Sequence, residues 1–110
     1  MTTQTEIQFQ APTLNNDGSP ITEALSYEAY IDTVNPPVKA YAVPASAVSA
    51  AVAGLITASF AGMLFTPVNG TTYFVNVVAT DQNGSSVPSG IISFGYNLPV
   101  PAAPTGLKVS

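Results

Sequence analysis

The chain has 110 residues, no cysteine, no histidine and no arginine, and six acidic side chains against two lysines give it a net charge of −4. The length is that of one domain. The composition excludes a disulfide framework, a thiolate metal site, a thiol nucleophile and a histidine general base, and it leaves no bidentate clamp for phosphate or carboxylate. The acidic balance opposes the counterion release that drives nucleic-acid binding.

Along the chain, apolar and polar residues alternate with period two, punctuated by Gly, Pro and Asn. Ile7 and Phe9 alternate with Glu6, Gln8 and Gln10 until Pro12, which predicts a half-buried strand. Leu14 to Pro20 clusters turn formers and predicts a loop. Leu25, Tyr27, Ala29 and Ile31 then share one face, with Ser26, Glu28, Tyr30 and Asp32 on the other, and Pro36-Pro37 closes this second strand. Val38 to Val43 is a short strand with Lys39 and Tyr41 on one side. Ala45 to Gly54 reads as a loop containing a helical turn.

Val43 to Phe65 is long and mostly apolar, but its content is Ala, Gly, Ser and Thr more than Leu or Ile, and it has no basic flanks. A membrane span is not expected there. Leu55 to Leu64 predicts a strand with Ile56, Ala58, Phe60 and Gly62 on one face. Thr71 to Thr80 gives the strongest strand signal, Tyr73, Val75, Val77 and Ala79 alternating with Phe74, Asn76 and Val78. Asp81 to Gly84 has the chemistry of a hairpin turn, and Ile91 to Tyr96 follows as the last long strand. Leu98 to Pro104 holds three prolines in seven residues, which favours an extended, semi-rigid segment. Thr105 to Ser110, with Leu107 and Val109 in register, predicts one more short strand. The expectation is an all-β antiparallel sandwich over residues 1–96, followed by a Pro-rich arm over residues 97–110.

Several of these stretches resemble a fibronectin type III domain of the immunoglobulin-like class found in phage virion proteins. Ile7-Gln8-Phe9-Gln10-Ala11-Pro12 is similar to the family's second strand, with Phe9 where a buried Trp is usual. Leu14 to Tyr30 resembles the following turn and Tyr-containing third strand. Phe65-Thr66-Pro67 and Gly70-Thr71-Thr72-Tyr73 resemble the approach to a tyrosine corner, lengthened by Val68 and Asn69. The resemblance implies that Phe9, Tyr27, Tyr73, Val75 and Val77 define the fold, and that the Tyr73 hydroxyl bonds back to the backbone. The departure lies at the ends. The family's first-strand pattern stands here at the C-terminus, as Pro101-Ala102-Ala103-Pro104-Thr105-Gly106-Leu107-Lys108-Val109. A permuted domain, a linker into a next domain and a strand donated to a neighbour are the three readings. The connection Asn97 to Ala103 spans about 22 Å, short of the roughly 30 to 35 Å length of such a sandwich, which favours donation to an adjacent subunit through Pro101, Pro104, Leu107 and Val109.

Charged residues make up 7% of the chain, against about a quarter in ordinary soluble domains. Such a surface costs little to desolvate and suits protein partners. Met1 to Glu6 carry neither a basic region nor an apolar run, so no export signal is expected. The expected function is that of a non-enzymatic virion protein, a capsid decoration protein binding capsid or tail subunits and copies of itself, assembled in the host cytoplasm. The alternative is a glycan-binding or adhesion module at a bacterial surface, with Tyr30, Tyr41, Phe74 and Tyr96 as its stacking platform. Neither cofactor nor metal is expected: Asp17 and Asp81 faintly resemble calcium-loop positions but lack the downstream Glu, and turn chemistry accounts for both.

Overall fold

A computed structural model describes residues 3–109. Its strands are β1 (Glu6–Gln10), β2 (Ser26–Asp32), β3 (Ala40–Ala42), β4 (Leu55–Ser59), β5 (Thr71–Asp81), β6 (Gly84–Ser85) and β7 (Ile92–Tyr96), with one short helix, α1 (Ala45–Ser49). All pairings are antiparallel. One sheet consists of β1 and β4 alone, and the other runs β3-β2-β5, with β6 and β7 both pairing to β5. The chain is therefore an all-β antiparallel sandwich with a two-stranded layer facing a five-stranded one.

β5 is the spine of the larger sheet because eight of its eleven residues are β-branched or aromatic, with Asn76, Ala79 and Asp81 the exceptions. Its inward residues Tyr73 and Val75 are opposite Phe94 and Ile92 of β7, and Val75, Val77 and Ala79 are opposite Ile31, Ala29 and Tyr27 of β2. Facing them, Ile7 and Phe9 of β1 are paired with Ala58 and Ile56 of β4. Ile31 and Ile56, each 1% exposed, sit at the centre. One end of the core is aromatic: Phe65 meets Tyr41, Phe60 and Tyr73 edge-on with centroids 5.1 to 5.2 Å apart, and Phe94 stacks on Phe60 at 5.6 Å.

Leu55 to Leu64 differs from the sequence expectation. β4 ends at Ser59, not Leu64. The Ser59 hydroxyl and carbonyl accept the amides of Gly62 and Met63, and the Phe65 amide reaches back to the Phe60 carbonyl, so residues 60–64 form a turn that still buries Phe60. The helical turn expected within Ala45 to Gly54 forms as a five-residue helix at Ala45–Ser49, its Ala47 and Val48 packing at the edge of the core.

The last long strand stands at Ile92–Tyr96 as expected, and between it and β6 the edge paired to β5 is interrupted at Val87 and Pro88, since proline cannot donate to a ladder. The gap is closed by side chains. The amides of Val77 and Ala79 donate to the hydroxyls of Ser89 and Ser86 at 2.9 and 3.0 Å, and the amides of these two serines return bonds to the carbonyls of Val77 and Ala79.

Candidate functional site

The residues expected to define the fold lie in the core. Tyr27 is buried against the Phe9 ring, the centroids 5.1 Å apart. Val75 is buried and Val77 lies beside it at the rim of the core. Tyr73 is buried with its ring between Phe65 and Phe94, and its hydroxyl accepts the Val68 amide at 2.8 Å, which ties the approach loop to β5.

The two turn aspartates satisfy their own loops. The Asp17 carboxylate accepts the hydroxyl and the amide of Ser19, and these bonds hold its pKa below the ordinary carboxylate value, the hydroxyl contributing most. Asp81 accepts the Asn83 amide at 2.7 Å. Both line an open cleft of about 570 Å³ between the 12–25 loop and the β5–β6 turn, together with Pro12, Leu14, Ile21 and Leu25. Among the described residues no aromatic or cationic side chain lines it. Among the described residues no group of three or more His, Cys, Asp or Glu is placed to hold a metal ion, and no helix is long and apolar enough to cross a membrane.

The four aromatics of the glycan alternative do not form one platform. Tyr41 faces inward onto Phe65, and Tyr96 also packs against the core. Tyr30 and Phe74 alone share the outer face of the large sheet, diagonally across β2 and β5.

The C-terminal arm is the most exposed apolar segment. Residues 97–109 have no regular secondary structure. Leu107 is 96% exposed and Val109 is fully exposed, and Pro101 and Pro104 are exposed as well. The expected strand over Thr105 to Ser110 is therefore absent from residues 105–109, and Ser110 lies outside the described residues. A lone strand has no ladder to satisfy its backbone, so alternation alone does not make one. The chain measures 76 Å along its longest axis, against 29 and 22 Å across. The eleven residues of β5 account for about 36 Å of that length, leaving the rest to an arm that projects away from its own domain.

The two-stranded layer is open on one side. Among the described residues β1 pairs only with β4, and its other edge borders a groove of about 150 Å³ floored by Ile7, Phe9, Val75, Val77 and Ile92. Ile92 is directly opposite Val75 and so faces inward, yet it is 63% exposed while Val75 is 3% exposed. An inward-facing isoleucine left in water marks a position where the sandwich lacks a covering element. Sequence reasoning points to the Ile7 and Phe9 edge as the place for a donated strand but not to the uncovered Ile92, since the pattern Ile91-Ile92-Ser93-Phe94 does not reveal what lies above it.

Comparison of the chain with protein-family models, with curated proteins and with solved structures finds no match.

Proposed function

We propose that this chain is a non-enzymatic structural protein of a phage virion, a capsid decoration protein that engages neighbouring subunits by adding its C-terminal arm as a strand. The observation that carries this reading is the arm itself: leucine and valine at alternate positions, almost wholly exposed, on a Pro-stiffened segment that leaves the domain. Apolar side chains held in water in that manner gain by insertion beside a partner strand, where main-chain bonds supply affinity and alternate side chains supply specificity. The likeness to fibronectin type III modules of virion proteins supports the same reading, as does a surface with few charges to desolvate. Such a protein assembles in the host cytoplasm and acts on the particle.

Glycan adhesion is the second reading and rests on the Tyr30–Phe74 pair of the outer face. The deciding experiment is co-sedimentation with particles of the phage whose genome encodes the chain, comparing the full chain with one truncated after Asn97. The truncated chain should stay in the supernatant. If it decorates particles as the full chain does, the arm is not the means of attachment and the proposal fails.

A further inference from the structure

We infer that the groove beside β1 is the acceptor for the arm of a second copy of this chain, so that copies join head to tail. The inference rests on the reading of the arm as a donated strand and adds where it goes, in which direction and in which register. The arm is the occupant because it supplies what the groove lacks. It offers free main-chain donors and acceptors for the unpaired edge of β1, and two apolar side chains at i, i+2 for a floor whose Ile92 is uncovered.

The direction follows from the poles. The Thr3 hydroxyl donates to the Asn97 carbonyl, so β1 begins at the pole where β7 ends and the arm leaves. At that exit the Leu98 amide is held by the Asn69 side chain at 2.8 Å, in the loop that precedes β5. To lie antiparallel to its own β1, the arm would first have to travel the length of the sandwich, and its connection of about 22 Å does not cover about 36 Å. An arm from a copy stacked end to end enters at the opposite pole and runs antiparallel to β1 without reversal. Each copy then donates at one pole and accepts from the other, a heterologous contact that closes into a ring or continues as an array.

The register follows from the two patterns. With Leu107 opposite Phe9 and Val109 opposite Ile7, both donated side chains face the groove and Lys108 faces outward opposite Gln8. Glu6 then lies on the diagonal, within reach of a lysine. Lys108 is one of the two cations of a chain of net charge −4, and this register places it beside a carboxylate of the acceptor. Pro101 and Pro104 precede the paired residues, so no ladder donor is lost to them.

The natural absence of cysteine makes the test direct. Full-length Gln8→Cys and Lys108→Cys proteins, both altered at exposed positions, are mixed and mildly oxidised. The expected result is a disulfide-linked heterodimer as the dominant product, and a ladder of multimers from the double variant. A control mixture of Gln8→Cys with Lys39→Cys should give none. In sedimentation velocity without cysteines, Glu6→Lys should lower the weight-average mass, and adding Lys108→Glu should restore it. A double variant that forms only an intramolecular disulfide would place the arm on its own domain, and cross-linking no better than the control would remove the groove as acceptor. Either result overturns the inference. If truncation still abolishes particle binding in that case, the arm has another virion subunit as its acceptor and the proposed function stands. If instead the cross-link forms while the truncated chain decorates normally, self-assembly stands and the attachment role falls.

Discussion

Replacing Tyr73 by Phe removes one oxygen and leaves the ring in its place between Phe65 and Phe94. The lost contact is the 2.8 Å bond from the Val68 amide. Stranding a fully buried donor costs about 1 to 3 kcal/mol. Here the Val68 side chain is 61% exposed, so water reaches the neighbourhood of the freed amide, and the cost belongs at the lower end, about 1 kcal/mol. For a domain of this size that is a fall of roughly 4 to 8 °C in Tm. Tyr73→Ala, which also empties ring volume from the aromatic end of the core, should cost about 3 to 5 kcal/mol. Thermal melts followed by near-ultraviolet circular dichroism measure both. A Tyr73→Phe protein that melts with the parent would show that the hydroxyl does not hold the approach loop, and the corner would then be a matter of ring packing alone.

Leu64 is 87% exposed and sits in the left-handed region at φ 59°, so Leu64→Asn should stabilise by about 0.5 to 1 kcal/mol, read as a higher urea midpoint. Burial raises the Tyr27 pKa, so the folded chain keeps this proton after the unfolded chain has lost it. Stability from Tyr27 is thus complete below the ordinary phenol value of about 10 and is lost as pH rises through the folded value; Tyr27→Phe should flatten that part of the alkaline decline in urea midpoint. Asn76 is 6% exposed and its Oδ1 has no hydrogen-bond partner, so Asn76→Val should be neutral or stabilising by up to about 1 kcal/mol, and a clear loss in a chemical melt would reveal a partner for the amide.

The strands that were legible in the sequence are those whose alternation coincides with burial on one face. β1, β2 and β5 were legible because Ile7, Tyr27, Ala29, Ile31, Tyr73 and Val75 all turn the same way into the core. β4 was read too long because Phe60 and Gly62 keep the period of two beyond the point where Ser59 starts a turn. Burial of Phe60 comes from the turn, which periodicity does not distinguish from a strand. The serine bonds of residues 86 and 89 left no trace in hydrophobic pattern, since hydroxyls that replace ladder partners are neither apolar nor periodic. The arm's composition was readable, but whether Leu107 and Val109 form a strand depends on a partner and not on their own alternation. The exposure of Ile92 was out of reach for a related reason: it is a property of the register between β7 and β5 and of the missing neighbour of β1.

The serine closure of the β5 edge has a practical consequence. Because the amides of Val77 and Ala79 are satisfied by hydroxyls on either side of Val87-Pro88, that dipeptide, whose valine is 78% exposed, carries none of the described sheet bonds. Foreign sequence inserted between these two residues would leave the β7 register anchored by Ser89 and the β6 turn anchored by Ser86. Each doubling of loop length costs only about 0.6 kcal/mol in closure entropy. The site is therefore a place to graft an epitope or an enzyme tag, carried on the flank of the sandwich, while the arm at the pole is left untouched.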